Sequence, residues 1–302
     1  MLTRRRTMVV IACAVLLPAA PVDAQDKLHV IASFSILGDL VKNVGGERVQ
    51  VGTLVGPNGN AHVYAPSPGD AKSAADAKLV FVNGLGFEGW LERLVKASGT
   101  KAPIIVATKR IKPRERAGAG GHDHDHGPAD PHAWQSVANA KVYVANIRDA
   151  LIAADAAGKD VYAANAAAYL AKLDALEREV RDVIAKVPAD RRRVITSHNA
   201  FGYFQDAYGV TFTAPQGVST EAEASARDVA AIITQIKKQK IPAVFLENVT
   251  DPRLVQQIAR ETGAKIGGTL YSDALTDDKG DATTYIDLIR HNLKQLAAAL
   301  ES

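Results

Sequence analysis

Cysteine is almost missing from this chain of 302 residues: its one copy, Cys13, sits inside an N-terminal apolar run. If that run is removed, no disulfide can form even in an oxidising compartment, and no thiolate is left to bind a metal. Charge of one sign is missing as well. The 36 Lys and Arg face 33 Asp and Glu for a formal +3, and residues 1–24 hold three arginines and one aspartate, so the remainder is nearly neutral. That excludes the basic footprint of a nucleic-acid binder. The apolar run from Met8 to Ala20 is too short to span a bilayer. No His-Glu-x-x-His motif is present to put a general base beside a zinc ion.

The N-terminus reads instead as an export signal. Arg4, Arg5 and Arg6 precede the apolar run, and Val22-Asp23-Ala24 supplies small residues that permit cleavage after Ala24. Val10-Ile11-Ala12-Cys13 also fits a lipoprotein box, but apolar residues follow Cys13 and very few precede it, so a soluble exported protein is expected. Arg4-Arg5 leaves the Sec and twin-arginine routes both open. With 47% apolar residues overall, the chain beyond the signal is long enough for two ordinary cores.

Short runs of branched apolar residues recur at Leu28 to Ser33, Val49 to Val55, Leu79 to Val82 and Ile104 to Ala107. They return at Val194 to Thr196, Ala243 to Leu246 and Ile266 to Tyr271. Helical patterns such as Ile36 to Val44 and Val229 to Lys238 alternate with them, which predicts α/β lobes. Between the two strand groups, Leu170, Leu173, Leu176, Val180 and Val183 form one apolar stripe. A helix over 161–187 would be a rod of roughly 40 Å, with Pro188 as its stop. The expected organisation is an N-terminal lobe at 25–160, a linking helix at 161–187 and a C-terminal lobe at 188–302. A low-complexity histidine-rich loop at 117–128 interrupts the first lobe. Tyr285, Leu288, Ile289, Leu293, Leu296 and Leu300 predict a terminal helix docked on the second lobe, with His291 off the stripe as a surface residue.

Four candidate metal ligands lie in separate motifs: His62 in Asn-Ala-His-Val-Tyr, His132 in Asp-Pro-His-Ala-Trp, His198 in Thr-Ser-His-Asn-Ala and Asp273 in Tyr-Ser-Asp-Ala-Leu. Successive members stand 66–75 residues apart, so no single element can join them. A lone histidine is more often a hydrogen-bonded structural residue, and His29, inside a strand, reads that way. The candidates differ in position: His198 and Asp273 follow predicted strands, and His62 and His132 lie in loops. Ligands of α/β lobes gather at the carboxyl ends of strands. Three imidazoles and a carboxylate suit zinc, with manganese, iron or cobalt as further candidates. Glu247, ending a strand, could fix the tautomer of a ligand histidine. Glu221 and Glu223 read as groups near a helix start, where Ser225-x-x-Asp228 resembles a capping box. His122, His124 and His126 alternate with Asp123 and Asp125, so an extended backbone would present three imidazoles on one side as a weak auxiliary zinc strip.

Several longer motifs resemble the zinc- and manganese-binding solute receptors of ABC importers. They are Phe34-Ser35-Ile36-Leu37-Gly38-Asp39-Leu40-Val41, Leu54-Val55-Gly56-Pro57 leading to His62-Val63-Tyr64-Ala65-Pro66-Ser67-Pro68, and Asn83-Gly84-Leu85-Gly86-Phe87-Glu88-Gly89-Trp90. Asp130-Pro131-His132-Ala133-Trp134, Ser197-His198-Asn199-Ala200-Phe201, Val218-Ser219-Thr220-Glu221-Ala222-Glu223 and Tyr271-Ser272-Asp273-Ala274-Leu275 extend the resemblance over the rest of the chain. It implies two α/β lobes joined by one long rigid helix, with the metal site in the cleft between lobes and His62, His132, His198 and Asp273 as ligands. His198 resembles the zinc-leaning branch, where manganese receptors often carry glutamate. The implied function is a periplasmic, monomeric receptor that captures Zn2+, or Mn2+, for a membrane permease and its ATPase, supplied by a periplasmic zinc donor. An exported zinc-dependent hydrolase and a metal-binding adhesin on the same scaffold are the alternatives.

Overall fold

The computed structural model describes residues 26–115 and 129–301. The export signal, cleavage after Ala24 and the strip of His122, His124 and His126 lie outside the described residues. Among those described, no helix is long and apolar enough to cross a membrane.

The chain opens with β1 (Leu28–Phe34), α1 (Ser35–Gly45), β2 (Val49–Val55), α2 (Pro68–Asp76), β3 (Leu79–Val82), α3 (Leu91–Ser98) and β4 (Ile104–Val106). Its strands form a parallel sheet in the order β2-β1-β3-β4. The mostly apolar, largely buried runs of β1 and β3 suit central strands covered on both faces, whereas the edge strands β2 and β4 are partly exposed. Ser67 and Asp70 cap α2 reciprocally, with Pro68 at its first position. An antiparallel pair, β5 (Arg114–Glu115) with β6 (Ala129–Asp130), joins the two ends of segment 116–128. Next come α4 (Val137–Ala154) and α5 (Lys159–Lys186). The 28 residues of α5 make a rod of about 42 Å. Its buried face runs through Tyr162, Ala166, Tyr169, Leu173, Leu176, Val180 and Ile184, with Leu170 and Val183 on its flanks.

The second lobe repeats the plan with β7 (Arg193–Ile195), α6 (Gly202–Tyr208), β8 (Thr211–Thr213), α7 (Ala226–Gln239), β9 (Ala243–Glu247), α8 (Arg253–Thr262), β10 (Lys265–Leu270) and α9 (Tyr285–Glu301). Its parallel sheet has the order β10-β9-β7-β8. Ser225 accepts from the Asp228 N–H at the start of α7, as the capping pattern predicts. In each sheet the first strand is flanked by the next two or three on opposite sides, so winding reverses at β1 and at β7. The crevices created there open at the carboxyl ends of the strands.

One apolar core runs through both lobes, from Val30 to Leu300, and a smaller one packs beneath α7 and α8. The terminal helix explains that continuity. Expected to dock on the second lobe, α9 packs on β10 there and also reaches the first: the Tyr285 N–H donates to Asp39 Oδ2 at 2.9 Å and its hydroxyl to the Trp134 carbonyl at 2.7 Å. His291 is a correction. Rather than facing solvent, its ring packs on Tyr271 at 4.3 Å, with Nδ1 2.8 Å from Asp281 and Nε2 2.9 Å from the Thr269 carbonyl. The apolar stripe marks only the deepest line of α9, and the end of β10 covers the flank where His291 stands.

Burial between α1 and the start of α9 pushes the Asp39 carboxyl up to about 6, against the opposing Tyr285 and Asn43 hydrogen bonds. The folded chain therefore holds this proton more tightly than the unfolded one between about pH 4 and pH 6. The Asp39 contribution is greatest below that window and falls through it. Asp39→Asn should gain roughly 2–3 kcal/mol relative to the unsubstituted protein as pH rises from about 4 to 7. Urea unfolding of both proteins across that range checks this, and a difference independent of pH would rule it out.

Candidate metal centre

The four predicted ligands converge. His62 comes from the loop after β2, His132 stands just beyond β6, and His198 and Asp273 follow β7 and β10 by three residues each. His62 is 3% exposed and the other three are fully buried. One ligand atom from each lies within 4.8 Å of all the others. His62 Nε2 is 3.3 Å from His132 Nε2 and 3.3 Å from Asp273 Oδ2, His198 Nε2 is 3.2 Å from the same oxygen, and His132 Nε2 is 3.5 Å from Asp273 Oδ1. Donors held 2.0–2.1 Å from a tetrahedral zinc are about 3.3 Å apart. The four contacts, at 3.2–3.5 Å, lie near that spacing.

Each histidine is oriented by a neighbour. Two use the same local device: Asn60 Oδ1 accepts from the His62 N–H at 3.0 Å, and Asp130 Oδ1 accepts from the His132 N–H at 3.0 Å. Asp130 Oδ1 also lies 2.8 Å from His132 Nδ1, which leaves Nε2 to face the cluster. Sequence reading passed over Asp130 in this role, although an Asn or Asp two residues before both His62 and His132 was the available signal. Glu247 stands where it was expected. Its Oε1 accepts from the Ser197 and His198 N–H groups at 2.7 and 2.9 Å, and Oε2 is 2.5 Å from His198 Nδ1.

The surroundings are apolar. Phe87 presents its ring to His62 at 4.9 Å and to His132 at 6.1 Å, and Trp134 packs on His132 at 5.3 Å. Gly84, Leu85 and Gly86 all adopt positive φ, a turn that needs glycine at two of its three places and sets Phe87 against the ligands. Trp90 Nε1 donates to the Ala61 carbonyl at 2.8 Å and fixes the loop carrying His62. Behind Asp130, Arg114 Nη1 lies 3.5 Å from Oδ2 while its Nε donates to Asp206 at 2.9 Å in the second lobe. A Cβ at Gly202 would approach both Arg114 and Asp130 to 2.5 Å, so this junction of lobes requires glycine. His29 is apart from the site, with Nδ1 3.4 Å from the Asp76 carbonyl.

Burial pushes the His62 imidazole down to about 4, so it is a neutral donor at neutral pH. Burial also opposes a charge on His198, but Glu247 and Asp273 outweigh it and hold that imidazole well above its ordinary value. Burial disfavours the Asp273 charge as well, yet His198 and His132 keep the carboxyl well below the usual range. Neither Asp273 oxygen has a hydrogen-bond partner among the described residues, and neither does His198 Nε2. A buried charge left in that state calls for a cation.

Residues 30–299 match the family described as zinc-uptake complex component A, periplasmic. The chain belongs to that family. The iron-binding protein YfeA of Yersinia pestis is 35% identical over 290 residues, covering 95% of this chain and 91% of the relative. The manganese-binding lipoprotein MntA of Halalkalibacterium halodurans is 34% identical over 274 residues, with coverage of 90% and 88%. Among solved structures, the periplasmic zinc-binding protein TroA of Treponema pallidum aligns with a TM-score of 0.84 at 29% identity, covering 91% of this chain and 99% of that one. The Mn-bound periplasmic metal-binding protein of Candidatus Liberibacter asiaticus gives 0.79 at 32% identity, covering 91% and 100%. The zinc-uptake component A fold, two α/β lobes joined by a long helix, is the fold of this chain.

The contact of Asp130 with His132 yields a direct test. Asp130→Ala should weaken divalent-ion binding by about 10–100-fold, the usual effect of losing the group behind a ligand histidine. A chelator-competition titration measures it, and unaltered affinity would show that Asp130 serves the turn alone.

Proposed function

We propose that this protein captures Zn2+ through His62, His132, His198 and Asp273 and passes it to the permease and ATPase of an ABC importer. Membership of the zinc-uptake component A family makes it a metal-binding substrate-binding protein and not an enzyme. The observation that carries the site is the buried, unpartnered Asp273 carboxylate ringed by three imidazole nitrogens. With Asp273 as the fourth donor, no open position remains for a water to be activated, which argues against the hydrolase. Three imidazoles favour zinc, and manganese stands at the weak end of the Irving-Williams order. One feature favours Mn2+ as a second reading: both Asp273 oxygens face the histidines, so bidentate binding could raise the coordination number.

In this reading the mature protein begins after Ala24, works in the periplasm as a monomer and receives zinc from a donor protein. Segments 25–160 and 188–302 act as the lobes, and the helix at 161–187 restrains their relative motion. His122, His124 and His126 add weak capture capacity. Glu247 holds the tautomer of His198, and docking on the permease separates the ligand loops.

The mature protein should bind one zinc tightly. His132→Ala should lower affinity by more than about 100-fold, beyond the range for residues behind a ligand, and His29→Ala should leave it unaltered. Competition titration of the two variants checks this, with equal affinities counting against the ligand set. Zinc should also displace manganese at equal free concentrations, and His198→Glu should move the balance towards manganese by substituting a harder oxygen donor. Two-metal competition at fixed pH decides the ion, since manganese displacing zinc from the unsubstituted protein would reverse the assignment.

A further inference from the structure

We infer that Asn60 is a latch between the lobes that sets how fast a bound ion leaves, an inference that rests on the proposed site. Both ends of its amide are engaged. Oδ1 accepts from the His62 N–H at 3.0 Å, while Nδ2 donates to Thr220 Oγ1 at 2.9 Å and to the Val249 carbonyl at 3.1 Å. The Thr220 hydroxyl also lies 3.2 Å from Asn60 Oδ1. One side chain thus ties the peptide of a first-lobe ligand to two second-lobe loops, 160 and 189 residues away in sequence. An aspartate at this place could hold the His62 turn but has no N–H to offer Val249.

The surrounding loop is fastened in the same direction. Asn58, in a left-handed conformation, donates its N–H to the Leu275 carbonyl at 2.8 Å. Asn248 Nδ2 bridges Asn58 Oδ1 at 3.3 Å and the Ala274 carbonyl at 3.2 Å, beside the ligand Asp273. Moving the loops after β9 and β10 therefore pulls on the segment that carries His62.

Position singles out the Asn60 contacts as the place where opening begins. Asn60, Thr220 and Val249 line a polar cavity of about 610 Å3 that also reaches Ser197, the neighbour of His198. Other links between lobes are either buried, as are the Trp134 Nε1 and Gln135 Nε2 bonds to the Ser272 carbonyl at 2.9 and 2.7 Å, or, like the exposed Arg114 to Asp206 and Asn248 to Asn58 contacts, end on no peptide of a proposed ligand. Breaking the half-buried latch costs only its net hydrogen-bond energy, because water in the cavity can take up the freed groups, whereas breaking the buried links leaves polar groups unsatisfied. The lobes part first at Asn60, and His62 goes with it.

The test uses the zinc-loaded mature protein mixed with excess EDTA, with zinc loss followed by stopped flow. Thr220→Val removes the hydroxyl but leaves the Asn60 bond to His62 in place. It should raise the dissociation rate by up to about tenfold, the effect of one net hydrogen bond, with the association rate unaltered. Thr220→Ser should behave like the unsubstituted protein, and Asn60→Ala should release zinc at least as fast as Thr220→Val. A Thr220→Val protein with the original dissociation rate overturns the latch, even if Asn60→Ala is fast, because Asn60 would then serve only the turn at His62. Unsubstituted protein that takes up no zinc overturns the proposed site and the latch with it, and that failure is recognised by the missing uptake.

Discussion

A carboxylate with no hydrogen bond among the described residues, enclosed where two lobes meet, is the constraint on which the rest of this protein depends. Asp273 can remain charged there only if positive charge stands beside it. Without an ion, protonated His198 meets that need, and Glu247 behind it helps to keep the proton in place. In the proposed site, an ion bound at His198 would exchange this proton for a stronger charge. Asp130 and Glu247 hold the outward nitrogens of two histidines so that the inward nitrogens face Asp273.

The two sheets make this arrangement achievable. Each is parallel and reverses its winding at its first strand, so both lobes open a crevice at the carboxyl ends of their strands. Facing the crevices towards each other brings together loops distant in sequence. Helices α5 and α9, with a core continuous through both lobes, then hold the frame. With so much shared packing, a large hinge motion would expose apolar surface, and the less costly movement is that of the ligand loops. Polar contacts at the cavity edge are therefore better suited to govern ion exchange than the buried contacts of the frame.

Relatives named for iron and manganese, and a structural neighbour named for zinc, share the scaffold with this chain at 29–35% identity. A fold common to all of them is not itself the filter for an ion. Selectivity has to come from the donor set and from how tightly its geometry is held. Here the balance lies between three imidazoles, which suit zinc, and the second oxygen of Asp273, which a larger coordination sphere could use.

Much of the architecture was legible in the chain because it rests on local periodicity. The strands at Val49–Val55 and Leu79–Val82 and the helix near 161–187 follow from runs of branched residues and stripes at steps of three and four. β8, with one apolar residue among its three, and the β5–β6 pair, with two residues each, carry no run of branched apolar residues to mark them. The candidate ligands were legible as types in motifs, and Glu247 as the end of a strand. The bond of Asp130 to His132 was open to inspection, being only two residues long, but the pairing of Asn60 with Thr220 and Val249 was not. Nor was the cover over His291, which depends on where β10 meets α9. The sequence by itself determined which segments become strands and helices and which side chains can donate to a metal, since both are properties of a residue and its near neighbours. Only the tertiary structure decided which donors share a site, what stands behind them and where the lobes are latched, because hydrogen bonds and burial depend on distance in space between residues that the chain keeps far apart.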